Sequence, residues 1–159
     1  ESPVGNKSLA VDVCWSDRLA LIVPPDHELA GKESVHISEL TRYPFVSREE
    51  GSGTRCVVSD YLEDNGMSMT DLDLSLEFGS PEANKKAVED GLGNSIVSES
   101  TLAKELELKT LTSINLDPPL HRPFSLVHQR QKFRIRAMQE FLNFAHEQCD
   151  QSKADDSAD

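Results

Sequence analysis

The spacing of apolar positions along this chain changes repeatedly, and the changes mark out its elements. Residues 1–16, ESPVGNKSLAVDVCWS, alternate loosely and open without a start signal. Residues 18–23, RLALIV, form a nearly continuous apolar run, the pattern of a buried strand, which Pro24-Pro25 stops. Asp26 then caps a predicted short helical turn over HELA, closed by Gly31, and a further short turn is predicted over Ser38-Glu39-Leu40. Phe45 and Val46 predict a short strand. Over residues 54–65, Val57, Val58, Tyr61 and Leu62 fall on one helical face, with Gly66 placed to end the helix. Leu72, Leu74, Leu76 and Phe78 alternate with polar residues, the period of a strand. Ser80-Pro81-Glu82 is a complete helix start, with a capping hydroxyl, proline at the first helical position and an acid in the first turn. Ala83, Ala87 and Val88 give that helix its buried face, and Gly91 ends it.

Beyond Gly91 the spacing predicts a strand at 94–97, a helix at 99–106, and strands at 108–114 and 123–128 flanking the Asp117-Pro118-Pro119 turn. Ile135, Met138, Phe141, Leu142 and Ala145 predict an amphipathic helix over 132–148, and the acidic tail DQSKADDSAD is expected to be disordered. The alternation of strand and helix from 44 to 115 implies parallel strands joined by crossover helices, hence an α/β fold.

One stretch stands out chemically. In PFVSREEGSGT, residues 44–54, a strand breaks into Gly51-Ser52-Gly53 and runs straight into a helix start. The first N–H groups of such a helix lack partners, and its dipole adds about half a positive charge there, so the turn forms a cradle for an anion or is plain turn chemistry. A second strand, ending near Phe78, feeds the helix that starts at Ser80. Ligands of open α/β sheets collect outside the carboxyl ends of the strands, so both helix starts are expected to open on one edge. Candidate ligand contacts are Ser47, Arg48, Ser52, Gly53 and Thr54 from the first loop and Ser80, Pro81 and Glu82 from the second. Ser80 reads equally as an ordinary N-cap, and Arg55 as the partner of an anionic ligand or of Glu49, Glu50 or Asp60. Glu49 and Glu50 repel an anion unless they point outward or select an amine-bearing ligand.

The formal net charge of −12, from 28 acidic and 16 basic residues, argues against direct nucleic-acid binding by this piece. Cys14, Cys56 and Cys149 are odd in number and lack CxxC spacing, so neither a disulfide framework nor a zinc site is expected, and a reducing cytoplasm fits. Cys56, near a helix start, reads as a packed thiol or as one with a lowered pKa. No secretion signal opens the chain, and no apolar run approaches the roughly 18 residues of a membrane span. No G-x-S-x-G elbow or phosphate loop is present, and the five histidines have no familiar ligand spacing. Neither catalysis nor a cofactor or metal is expected.

Four stretches together carry a family resemblance: DRLALIVPPDHELAGK (17–32), ISELTRYPFVSREEGSGTR (37–55), EFGSPEANKKAVEDGLGNSIVSE (77–99) and HRPFSLVHQRQKF (121–133). In order and spacing the chain resembles the effector-binding domain of LysR-type transcriptional regulators, closest in flavour to cysteine-biosynthesis and carbon-fixation regulators. The resemblance implies an α/β, periplasmic-binding-protein-like two-lobed domain, the second lobe complete and the first only partly present. Residues 1–16 would end the first lobe, 17–24 form a hinge strand, 25–120 the second lobe, 121–131 the returning hinge strand, 132–149 the last helix of the first lobe and 150–159 a disordered tail. It places effector contacts on Ser47 to Thr54 and on Ser80-Pro81-Glu82. It implies a cytoplasmic, homo-oligomeric sensor of a small, anionic metabolite, acting on DNA only through a winged helix-turn-helix domain outside this chain. A solute-binding protein of a transporter, which shares the lobed architecture, is the alternative. With much of one lobe missing, hinge and sheet-edge surface is expected to be exposed and the chain to self-associate.

Overall fold

The computed structural model describes residues 8–130 and 135–156. It divides the chain into two units, Asp17–Arg122 and a second made of Glu1–Ser16 with Pro123–Asp159. The strand β1 (Leu9–Val23) and the strand β7 (Leu120–Gln129) run through the two places where the chain passes from one unit to the other.

The larger unit is built on the end of β1. Within it follow β2 (Ser34–His36), β3 (Pro44–Arg48), α1 (Gly53–Asp64), β4 (Asp73–Phe78), α2 (Pro81–Glu89), β5 (Ser95–Ser98), α3 (Ala103–Leu108) and β6 (Thr112–Asp117). β1 runs antiparallel to β5 and β6, pairing Leu21 with both Ile96 and Ile114, while β2 joins β6 in parallel. Successive strand residues face opposite sides. Leu19, Leu21 and Val23 accordingly enter one buried cluster with Phe45, Leu62 and Ile114. Ile22 enters another with Val88, Val97, Leu102 and Leu111. Both faces of this strand are covered, which is why RLALIV has no polar alternation.

β3 and β4 pair in parallel, with Arg48 opposite Phe78, and β3 touches the residue before β5 through a parallel bridge between Phe45 and Asn94. Gly93 makes that approach possible. Its φ is +148°, and a Cβ there would lie 2.5 Å from the Pro44 carbonyl oxygen. Parallel pairing with helical crossovers thus holds for β3 and β4, whereas the long first strand is antiparallel to β5 and β6. The predicted HELA helix is a series of turns instead, with Ala30 N–H donating to the His27 carbonyl at 2.9 Å and Lys32 N–H to Leu29 at 3.0 Å. These residues form too few bonds in succession to propagate a helix.

The smaller unit comprises the start of β1, most of β7 and α4 (Arg136–Asp156). Residues 1–7, which open the predicted first-lobe segment, lie outside the described residues. Trp15 and Phe124 pack with ring centroids 5.6 Å apart, and Arg130 donates through Nε to the Leu9 carbonyl at 2.8 Å. Cys14 and Cys149 form a disulfide, contrary to the sequence expectation; the two lie 135 residues apart, and local spacing carries no sign of a pairing made by the fold. Helix α4 continues through residues 150–156, where a disordered tail is expected; residues 157–159 lie outside the described residues. On α4, Leu142 is buried, but Ile135 before it and Met138, Phe141 and Phe144 along it are exposed. Two strands and one helix offer too little surface to cover that face.

Candidate functional site

The geometry of the site begins with the parallel pairing of β3 and β4. Because their carboxyl ends lie side by side, the loops that follow and the starts of α1 and α2 open on one edge, as the strand order predicts. The Glu49 N–H donates to the Phe78 carbonyl at 3.1 Å, and Arg48 Nη2 reaches the Gly79 carbonyl at 3.5 Å, so the two loops are also directly connected.

The first loop turns on Gly51, with φ of +91°, a conformation that favours glycine. The Ser52 N–H donates to the Glu49 carbonyl at 3.1 Å, and Ser52 becomes the N-cap of α1 with its hydroxyl making no capping bond. Gly53 is the first helical residue and Thr54 the second. Ser47 and Ser52 are buried. Ser47, Arg48 and Thr54 line a cavity of about 10 Å³ together with Val46, Arg55 and Ser95. That is room for roughly one water molecule, too little for a metabolite.

Of the two acidic residues of the loop, Glu49 is held. Arg48 forms a fork to Glu49, Nε to Oε2 at 2.7 Å and Nη2 to Oε1 at 2.9 Å, and this guanidinium keeps the Glu49 carboxyl below the usual range. Arg55 pairs with Glu77, not with the acids of its own loop or Asp60, and also donates to the Arg48 carbonyl at 3.0 Å. Glu50 is exposed. Cys56 is an exposed free thiol rather than a packed one.

At the second loop Ser80 caps α2, its hydroxyl accepting from the Ala83 N–H at 3.2 Å, with Pro81 in the first helical position. A buried relay positions this helix: Asn84 Nδ2 donates to Ser95 Oγ at 3.3 Å, and Ser95 Oγ donates to the Val46 carbonyl at 2.7 Å. Glu82 is exposed and lines a different recess, of about 390 Å³, with Lys85, Lys86, Glu89, Lys104 and Glu105.

Two residues that sequence reasoning passed over complete the site. Arg122 is 5% exposed, and its Nη1 donates to Thr54 Oγ1 at 3.2 Å while its Nη2 donates to Asp17 Oδ2 at 2.6 Å. Asp17 is 7% exposed and also accepts from Ser98 Oγ at 2.8 Å. The signal for both was the strand period: Asp17 is in phase with Leu19 and Leu21, and Arg122 with Leu120. A charge standing at a core position of each strand calls for a partner inside. Among the described residues no cluster of three or more His, Cys, Asp and Glu could hold a metal ion, and no helix is long and apolar enough to cross a membrane.

A family model described as "LysR substrate binding domain" matches residues 1–150. The RuBisCO operon transcriptional regulator of Allochromatium vinosum is 34% identical over 143 residues, covering 89% of this chain and 46% of that protein. The transcriptional activator CmpR of Synechocystis is 30% identical over 150 residues, covering 92% of this chain and 48% of that protein. The chain spans about half the length of these curated relatives. Among solved structures, the CcmR regulatory domain of Synechocystis PCC6803 in complex with 2-PG superposes with a TM-score of 0.79 at 31% identity, covering 92% of this chain and 69% of that one. The effector-binding domain of QuiR in complex with shikimate gives a TM-score of 0.79 at 17% identity, covering 94% and 70%, a likeness of fold alone.

Proposed function

Since this chain belongs to the LysR substrate-binding domain family, we propose that it is the sensing part of a cytoplasmic transcription regulator and binds a small anionic metabolite at the helix starts beside β3 and β4. The observation that carries this reading is the start of α1. Ser52 caps without a side-chain bond, Thr54 stands beside a buried guanidinium, and Glu49 and Glu77 are paired with arginines. Unpartnered N–H groups, the helix dipole and hydroxyls then face one point.

In this reading Ser47, Arg48, Ser52, Gly53 and Thr54 form the nearer wall, and Ser80, Pro81 and Glu82 the farther one. The 2-PG complex of the CcmR regulatory domain, at 31% identity, supports a phosphate- or carboxylate-bearing ligand. The remaining pocket wall, the winged helix-turn-helix domain and the homo-oligomer belong to the whole regulator. Ligand binding would act on DNA by favouring one arrangement of that regulator over another, through different affinities for the two. The relatives described above are transcription regulators, so this reading displaces the solute-binding one. It also assigns the chain no catalytic step.

The test is amide shift mapping. Titrating the 15N-labelled chain with 2-phosphoglycolate is expected to move the resonances of residues 51–54 and 80–83. Shifts confined to other parts of the chain would refute the proposed site.

A further inference from the structure

Three arginines stand near the start of α1, and each is paired with a carboxylate, Arg122 with the buried Asp17. Arg48 forks onto Glu49, and Arg55 pairs with Glu77. Arg122 is placed differently. Its guanidinium is buried, with Nη2 on Asp17 at 2.6 Å and Nη1 on Thr54 Oγ1 at 3.2 Å, beside the first turn of α1.

Asp17 is itself held on both oxygens, since Ser98 donates to the other one at 2.8 Å. A buried ion pair contributes little net stability against its desolvation cost, and its clearer effect is to fix orientation. Here the effect is to aim Nη1 at the first turn of α1. A hydroxyl has one donor and two acceptor sites. Because Arg122 occupies an acceptor site of Thr54, the Thr54 proton is left to donate, and among the described residues it has no acceptor. The guanidinium and the Thr54 hydroxyl therefore present donors beside the N–H groups of the same helix start. The Arg122–Asp17 pair carries no net charge, so an anion is met here by aimed donors rather than by surplus charge, in a chain whose formal net charge is −12.

Resting on the reading of residues 47–54 as an anion pocket, we propose that Arg122 is the residue that reads the ligand's negative charge and that Asp17 is its positioning residue. The ligand class is a phosphate- or carboxylate-bearing metabolite, whose oxygens match the guanidinium's fixed fork.

The experiment uses the 159-residue chain with two probes, 2-phosphoglycolate and inorganic phosphate. Calorimetry is run on the unaltered chain, Thr54→Ala, Arg122→Lys and Asp17→Asn, and the side-chain 15N resonance of Arg122 is followed in the unaltered chain. The proposal expects the Arg122 resonance to move on saturation. It expects Arg122→Lys to weaken binding about tenfold or more, the effect of losing one hydrogen bond to a charged group. Asp17→Asn weakens binding less, with Arg122 still in contact. Should Thr54→Ala weaken binding while Arg122→Lys does not and the Arg122 resonance stays still, the pocket stands and the role of Arg122 is overturned. Unchanged affinity in Asp17→Asn overturns the positioning role. If neither probe moves the amides of residues 52–54, the pocket reading falls and takes the proposal with it. The resonance of the unaltered chain decides the matter even if a variant fails to fold.

Discussion

Replacing Tyr61 with phenylalanine should make the stability of this protein depend less on alkaline pH. Tyr61 lies on the buried face of α1, 7% exposed, and its hydroxyl donates to the Pro118 carbonyl at 2.5 Å. Burial, and then the Asp117 carboxylate, push the phenol from 10.0 up to about 12. The unfolded chain therefore ionises this group first, and its ionisation favours unfolding. The contribution is complete below about pH 10, and it is lost as pH rises through the folded value near 12. Two pH units at about 1.36 kcal/mol each give about 2.7 kcal/mol, of which about half is gone by pH 11. Against this, Tyr61→Phe removes one hydrogen bond and costs about 1 kcal/mol at neutral pH. The parent should be the more stable at pH 8, and the gap should close or invert near pH 11.

Urea unfolding of both proteins at pH 8, 10 and 11, read as the difference between them, cancels groups that titrate alike in both. The chain has two tyrosines, so absorbance near 295 nm can follow Tyr43 alone in the variant and Tyr61 by subtraction. A stability difference that stays constant from pH 8 to 11 would refute the reasoning. The consequence reaches the site, because Tyr61 ties the helix that carries Ser52, Gly53 and Thr54 at its start to the Asp117-Pro118 turn.

Gly93→Ala should lower the urea midpoint, by about 1–3 kcal/mol of stability, because the new Cβ meets the Pro44 carbonyl oxygen at 2.5 Å with φ at +148°. An unchanged midpoint would show that the β3 approach can relax. Reducing the Cys14–Cys149 bond should cost about 2–5 kcal/mol, the range expected for so long a loop, and a Cys14→Ser variant should match the reduced protein and ignore reductant. Thiol titration of the folded, oxidised chain should find Cys56 only. The hydrogen bond from Lys85 holds the Glu105 carboxyl below its usual 4.5, so its contribution is present above that value and lost as pH falls through the folded one. Glu105→Gln should flatten the acid limb of stability measured by urea unfolding between pH 5 and 3, and an unaltered slope would count against this pair.

What could be read from the sequence was local. The cap at Ser80, the proline after it, the turn at Gly51 and the buried strand before Pro24 each rest on chemistry within a few residues. The structure shows Ser80 accepting from Ala83 and Ile22 and Leu21 buried on opposite faces. The edge where two helix starts meet followed from strand order and is seen in the pairing of β3 with β4. What escaped was made by contacts distant in sequence. Asp17 and Arg122 meet across 105 residues, and Cys14 and Cys149 across 135. The apolar stripe of the last helix was legible as a stripe, but its cover was not: Phe141 is 61% and Ile135 72% exposed. Periodicity tells which residues prefer burial, not whether enough surface exists to bury them.

The Asp17–Arg122 contact also matters for chain topology. These are the first and last residues of the larger unit, so its entry and exit meet at a separation of 2.6 Å between side chains. A segment whose two ends coincide is a natural cassette. A linker of a few residues would close 17–122 into a ring, or let new termini be cut elsewhere in it, without asking any strand to move. The same coincidence makes the cassette transplantable into another host chain that offers two adjacent attachment points.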